Sequence, residues 1–451
     1  MPIAINNKAL NRWMVVLGAL LIQASLGAIY IYSVFKPALK SNFPDWSSTD
    51  LALPSQIVLA CFALSMILSG RIQDKIGPRI TASIGAVLLG LGLVIASQAH
   101  SLWVFVLGFS VLGGIGIGTA YVCPIAACVK WFPDKRGLVT GLAVAGFGAG
   151  GLIFTPLANY FISAFGIMPT FLYLGIIFFV AIITGAQFMA TPPAGYCPPG
   201  WNPQQPAIAS GPTGQSKEKI DYSTKEMLKT SQFWLLWFTY FAGCTAGLLI
   251  IMNVTNIWQS VSAINLAKSL NVITEIAFAE IVKAGATAVI IVSILNSIGR
   301  IVWGKISDSV GRKKTLLIIF LLCGLTMFAL NSFTTYSLFL IGVAVVGFCF
   351  GGFLALYPAI IADYFGTKNV GANYGILFTA YGAGGLFGPW LAPKLMAGIQ
   401  KIPYEVADKT GNILTKYVEA GTYLNSFVIA GVLCLTAAFL VLMLKASTQK
   451  K

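Results

Sequence analysis

Ionisable side chains are scarce in this chain of 451 residues: 10% are charged, Asp and Glu together number 14, and His100 is the one histidine. A soluble domain carries about 25% charged residues, so a water-surrounded globule is excluded. The eight cysteines form no CxxC pair and no Cys/His cluster, which leaves zinc sites and a disulfide framework without support. Nucleophile–base pairs, metal-ligand groupings and nucleotide-binding loops are all missing. The sequence therefore reads as no enzyme and calls for no cofactor and no metal. Acids are also missing from the hydrophobic interior. Asp363 stands at the end of the tenth hydrophobic run, and Glu275 and Glu280 fall in the segment before the eighth. A dedicated buried proton carrier is thus absent.

What the chain does have is apolar length. Hydrophobic residues make up 57% of it, gathered into runs long enough to cross a hydrocarbon core of ~30 Å, which takes ~20 helical residues. Twelve such runs can be marked, at 12–35, 51–69, 80–98, 101–129, 137–164, 167–190, 231–260, 284–303, 315–332, 336–362, 371–397 and 421–444. The fold class that follows is an all-α integral membrane protein with twelve transmembrane helices. The first run lacks a cleavable-signal pattern, so it reads as a retained helix.

The net charge of +15 raises nucleic acid as a partner, but its placement argues against one. With the N-terminus inside, 20 of the 29 Lys and Arg fall in alternate connections and the two tails, and eight on the other side. That bias puts both termini in the cytoplasm of a multi-pass protein. A nucleic-acid footprint gathers charge on one face, whereas here it is spread over loops.

A shift of 234 residues lays the chain on itself. GRIQDKIGPR (70–79) falls on GKISDSVGRK (304–313), GGIGIG (113–118) on GFCFGG (347–352), and GFGAGGL (146–152) on AYGAGGL (380–386). The chain thus reads as two pseudo-repeats of six helices, 1–190 and 231–451, around a polar, Pro- and Gly-rich cytoplasmic linker at 191–230. Parallel repeats of this kind place a substrate site between the halves near the midplane. The linker ends in Ser223-Thr224-Lys225-Glu226, a capping-box pattern that predicts a short helix. The glycine-rich runs are stripes along which helices approach one another.

One residue breaks the apolar pattern. Arg300 stands in AVIIVSILNSIGRIVWG (288–304) with no acid in the run to neutralise it. A central arginine costs roughly 2.5–3.5 kcal/mol on insertion scales, so such residues face aqueous cavities and have work to do. A lone guanidinium holds a carboxylate well, through two parallel hydrogen bonds. Asn296 lies one turn earlier on the same face, with Ser293 and Ser297 beside it. The competing reading is an arginine snorkelling to the nearer surface. Against it, the repeat-related residue is Met66, so the architecture itself needs no cation there.

The paired loops, with Gly70, Asp74, Gly77 and Arg79 in one and Gly304, Asp308, Gly311 and Arg312 in the other, resemble the signature loop of the major facilitator superfamily. As conformational gating elements, their glycines permit tight turns. Each aspartate can meet a helix dipole or a basic residue and lock the inward face shut. WFPDKRGLVTGLAVAG (131–146) resembles the entry to helix 5 of monocarboxylate transporters. TPPAGYCPPGW (191–201) and TKEMLKTSQFWLLWF (224–238) resemble the linker and helix-7 start of the oxalate/formate antiporter family, a prokaryotic branch close to them. The resemblance implies a multi-pass carrier in a prokaryotic inner membrane, monomeric, with the lipid bilayer and a small carboxylate as its partners, and protons as a partner if the coupling is symport.

In that family the substrate-binding arginine of helix 8 falls at Arg300. Monocarboxylate transporters tend to carry an Asp one turn earlier, where this chain has Asn296, which holds no proton. Oxalate carriers carry a helix-11 lysine where this chain has Tyr381. One cation balances one carboxylate, so the resemblance implies a monocarboxylate of the lactate, pyruvate or acetate type. The family's cavity is lined from helices 1, 4, 5, 8, 10 and 11. That makes Tyr30, Tyr121, Tyr357 and Tyr381 candidate donors, and Phe147 and Phe378 candidate apolar walls. Symport with a proton, anion exchange and facilitated diffusion all stay open. An oxalate/formate antiporter is the nearest rival, and a transport-inactive anion sensor is a rival from another class.

Overall fold

The computed structural model describes residues 11–193, 196–198, 221–407 and 413–445. Eleven of its helices are long and apolar enough to cross a membrane. They are α1 (Arg12–Ile31), α2 (Ser48–Ile76), α3 (Pro78–Ser97), α4 (Leu102–Trp131), α5 (Arg136–Phe165), α6 (Ile167–Gln187), α7 (Ser231–Ala267), α8 (Glu275–Val310), α9 (Arg312–Ser332), α10 (Tyr336–Phe365) and α12 (Leu424–Leu442). The twelfth span, α11, is interrupted at Phe378 into Val370–Leu377 and Thr379–Lys394.

Local chemistry explains many of the ends. Asn11, Thr230 and Thr274 each accept a backbone N–H from the first turn of α1, α7 and α8, and Ser47 with Asp50 makes a capping box on α2. Gly77, at φ 90°, and Gly311, at φ 97°, turn the chain between α2 and α3 and between α8 and α9. Only glycine takes that conformation without strain. The capping box expected at Ser223 is present and starts the short helix Thr224–Leu228. Most of the connecting stretch 191–230 lies outside the described residues.

Two features depart from the sequence reading. Helix α8 has 36 residues, about 54 Å at 1.5 Å per residue, and overshoots the hydrocarbon core. Glu275 and Glu280 therefore belong to its first turns and not to a connecting segment. The last long connection also carries an antiparallel hairpin, β1 (Ala397–Ala407) and β2 (Ile413–Thr422). Ile273 adds to its edge, donating to the Pro403 carbonyl at 3.0 Å and accepting from the Glu405 N–H at 2.9 Å. Phe278 stacks on Tyr404 at 3.8 Å between ring centroids, and Ala263, Ile273, Ile402 and Ala420 close a small buried cluster beneath. The membrane part is all helix, as expected, and the hairpin braces the C-terminal end of α7 and the N-terminal end of α8.

The 234-residue repeat governs how the first six spans meet the last six. Helix α2 lies against α11, and α8 lies against α5. A Cβ on Gly70 would strike the Gly371 carbonyl, and one on Gly304 would strike the Gly137 carbonyl. Asp74 accepts the Gly371 and Ala372 N–H groups at 3.3 and 2.8 Å. Its repeat mate Asp308 accepts those of Gly137 and Leu138 at 2.9 and 2.8 Å. Each carboxylate thus caps the start of a helix in the other bundle, where the helix dipole favours negative charge. Lys130 reaches Asp74 at 3.3 Å, and Arg312 pairs with Asp308 at 2.7 Å and Asp363 at 2.9 Å. Arg136 crosses the bundles to Asp363 at 2.5 Å. Arg79 takes no part in this seam and donates to Gln187 at the end of α6. Both ends of the described chain lie on this same face: Arg12 pairs with Asp134, and the Lys445 N–H reaches Gln232.

The seam carries a prediction. Gly304→Val should leave each bundle folded while prising this face apart, because overpacking a tight contact costs about 1–3 kcal/mol. Thr140 is fully buried there and donates across the seam to the Ala355 carbonyl at 2.9 Å. Maleimide labelling of Thr140→Cys should quicken about five-fold or more when Gly304→Val is added. Equal labelling rates would mean that the glycine contact does not hold the seam.

Candidate functional site

Helix α8 delivers the site through two residues one turn apart. Arg300 is the largest fully buried side chain among the described residues. Its Nε donates to Asn296 Oδ1 at 3.2 Å, and one terminal nitrogen donates to the Val144 carbonyl of α5. The other terminal nitrogen meets no hydrogen-bond acceptor among the described residues, with the Tyr30 side chain as its neighbour. The guanidinium carbon lies 5.9 Å from the centre of the Phe147 ring. Gly148 packs against the same stretch of α8: a Cβ there would strike the Ser297 hydroxyl and touch the guanidinium carbon at 3.4 Å. No ion pair among the described residues involves Arg300; every one is made elsewhere, at the seam or between Arg12 and Asp134.

That environment decides between the two readings of the arginine. A snorkelling side chain would reach for water, whereas this one is 0% exposed. Two neutral acceptors only partly offset the desolvation of a cation, and the unpartnered N–H groups remain directed into the interior. The arrangement is electrostatically incomplete and complementary to an anion.

Aromatic side chains of both bundles close around it. Tyr30 of α1 and Tyr381 of α11 share a hydroxyl–hydroxyl hydrogen bond of 2.9 Å. Phe147 meets Tyr30 at 5.2 Å and Tyr121 at 5.1 Å, edge to face. Phe378, at the break in α11, stacks on Tyr381 at 4.5 Å and lies 5.3 Å from Tyr121. Arg300, Asn296, Tyr30, Tyr121, Phe147, Phe378 and Tyr381 therefore come together.

Tyr357 stands apart. Its hydroxyl donates to Thr239 at 2.8 Å and its ring stacks on Tyr240 at 4.2 Å, so its donor capacity is used within the second bundle. The serines of α8 are likewise engaged, Ser293 with the Val289 carbonyl and Ser297 with that of Ser293. They do not touch the guanidinium as hydrogen-bond partners.

Three residues at or near the site were not singled out from the sequence. Phe62 of α2 lies 5.1 Å from both Tyr121 and Phe378 and 6.0 Å from Phe147. Tyr240 and Tyr374 flank Phe378 at 6.5 and 5.7 Å. Phe62 could have been found by carrying Asn296 back through the repeat offset. No sequence signal marks the other two.

The sequence profile of the Major Facilitator Superfamily matches residues 9–282 and again 246–451. The chain belongs to the major facilitator superfamily. It is similar to the oxalate:formate antiporter of Oxalobacter formigenes, 29% identical over 85% of this chain and 85% of that one. It is also similar to apicoplast pyruvate carrier 1 of Toxoplasma gondii, at 27% identity over 77% of this chain and 69% of the carrier. The crystal structure of the human organic anion transporter MFSD10 superposes with a TM-score of 0.63. That likeness covers 95% of this chain and 99% of MFSD10 at 13% identity, and it speaks for the fold alone. The resemblance to the oxalate/formate and monocarboxylate carriers read from the sequence holds.

Asn296 offers a direct check on the electrostatics. Asn296→Asp would place a carboxylate where the amide oxygen now meets Nε at 3.2 Å, neutralising the guanidinium from within. Anion binding, read as the rise in thermal unfolding midpoint with added acetate, should weaken about ten-fold or more, or 1.4 kcal/mol. Lowering the pH protonates the new carboxyl and frees the cation, so binding should recover on acidification. Unchanged affinity at neutral pH would show that the anion does not use this guanidinium.

Proposed function

We propose that this chain is a secondary transporter of small monocarboxylate anions of the lactate, pyruvate or acetate type. It works by alternating access in a prokaryotic cytoplasmic membrane with both termini inside. The observation that carries the reading is Arg300, fully buried, unpaired by any acid and left with a free terminal nitrogen between the two bundles. A carboxylate would meet that nitrogen with a charge-assisted hydrogen bond and neutralise the cation. Only the neutralised interior is cheap to seal on both sides, because an isolated charge in low dielectric is costly.

One cation suits one carboxylate. Tyr381 brings a hydroxyl to the helix-11 position and no second charge, so a dianion would keep an uncompensated charge at a cost of several kcal/mol. The likeness to an oxalate:formate antiporter favours a second reading, exchange of oxalate for formate. Tyr381 counts against it. Coupling runs either by exchange of one anion for another or by proton symport with the carboxylate and Arg300 as the unit. The seam of Asp74 and Asp308 serves as the inward gate, opened and resealed once per cycle.

Purified protein in liposomes, offered a panel of carboxylates with and without an imposed pH gradient, tests the proposal. Lactate, pyruvate or acetate should drive counterflow and outcompete oxalate. Binding without any counterflow would make the protein a sensor and end the transport reading. Arg300→Ala should lower uptake by about 30-fold or more, the loss expected from 2 kcal/mol or more, with insertion unimpaired; retained uptake would remove the anion-binding role. Tyr381→Lys should move preference toward dicarboxylates by about ten-fold, and an unchanged ranking would take Tyr381 out of the substrate's reach.

A further inference from the structure

We infer that the substrate lies polarised across the gap between the bundles, carboxylate on α8 and carbon chain against α2, and that Phe62 sets how long a chain is admitted. The inference rests on the functional reading above and adds to it a specificity-determining residue. It begins with the repeat. Phe62 and Met66 of α2 are the residues that Asn296 and Arg300 of α8 become when the chain is shifted by 234.

The two pairs also occupy matching places in space. A Cβ on Gly141 of α5 would run into the Arg300 carbonyl, and one on Gly375 of α11 would run into the Met66 carbonyl. Gly141 and Gly375 are themselves 234 apart. The same backbone approach thus presents an amide and a guanidinium from one bundle and a phenyl ring and a thioether from the other. All four side chains are buried, Asn296 at 6% exposure and the others at 0%.

Phe62 is held by rings of both bundles. Tyr121 and Phe147 come from its own, at 5.1 and 6.0 Å; Phe378 and Tyr381 come from the other, at 5.1 and 6.3 Å. Phe147 is also the ring whose centre lies 5.9 Å from the guanidinium carbon, and Tyr381 is joined to Tyr30 by the hydroxyl–hydroxyl bond of 2.9 Å. Phe62 thus stands one ring away from the guanidinium on the α2 side, with Phe147 between them. A methyl or short alkyl group finds an apolar wall there, and a second charge finds none. Each further methylene must displace a ring wedged among four others, which overpacks the box. Met66 can bend away from such pressure; a planar ring fixed edge and face cannot.

The experiment measures uptake and competition in proteoliposomes across acetate, propanoate, butanoate and hexanoate, for the parent protein, Phe62→Ala and Phe62→Leu. The expected result is a hexanoate-to-acetate ratio raised at least about ten-fold in Phe62→Ala, and by less in Phe62→Leu. The corresponding amides should fail to compete in all three, since the carboxylate end is untouched. If Phe62→Ala does not insert, Phe62→Leu decides: a shift toward longer chains supports the assignment, and an unshifted profile overturns it. Acetate uptake that persists with an unaltered chain-length ranking in the variants overturns this inference and leaves the functional reading standing. A parent protein that takes none of the series overturns both.

Discussion

An unpaired positive charge in a protein interior surrounded by lipid is the constraint around which the other features arrange themselves. Arg300 cannot reach water, and its two partners, the Asn296 amide and the Val144 carbonyl, are dipoles and not charges. In low dielectric that leaves free energy to be recovered by any group that brings a negative charge. The surrounding rings limit what that group can be. On the proposed reading they set its size, with hydroxyls from Tyr30, Tyr121 and Tyr381 and no second cation beside Arg300.

The backbone and the side chains follow different rules here. Backbone contacts between the bundles obey the repeat closely: Asp74 and Asp308 cap helices whose first residues are themselves 234 apart, and the close glycine contacts match in the same way. A two-fold scaffold of this kind can open and close about its centre with similar contacts on either side. The break in symmetry comes at Asn296 and Arg300 against Phe62 and Met66, where the proposed function has cargo bind. It is one of side-chain chemistry alone. A symmetric frame thus carries a charged side and an apolar side, and on the proposed function the two would orient a short amphiphilic anion.

How much was legible beforehand depends on the range over which each feature is held. Gly77 and Gly311 were readable as turns because a positive φ is a property of one residue and its neighbours. The capping box at Ser223 was readable for the same reason. The hairpin was not, because Ile273 and Phe278 secure it from more than a hundred residues away. Tyr357 and Tyr381 looked alike in sequence, yet one spends its hydroxyl on Thr239 and the other shares its own with Tyr30. Phe62 escaped notice because an apolar ring in a mostly apolar run leaves little periodic signal to tell lipid from interior.

By itself the sequence determined the class of molecule, the count of spans, the duplication and the one cation that insertion should have disfavoured. Those follow from hydrophobic length, offset identity and the cost of a charge in lipid, all of which are local or additive. The tertiary structure alone decided that Arg300 turns inward and stays unpaired, which rings enclose it, and which bundle supplies the apolar wall. Such facts depend on distances between helices far apart in the chain, and no composition or spacing encodes a distance across the gap between two bundles.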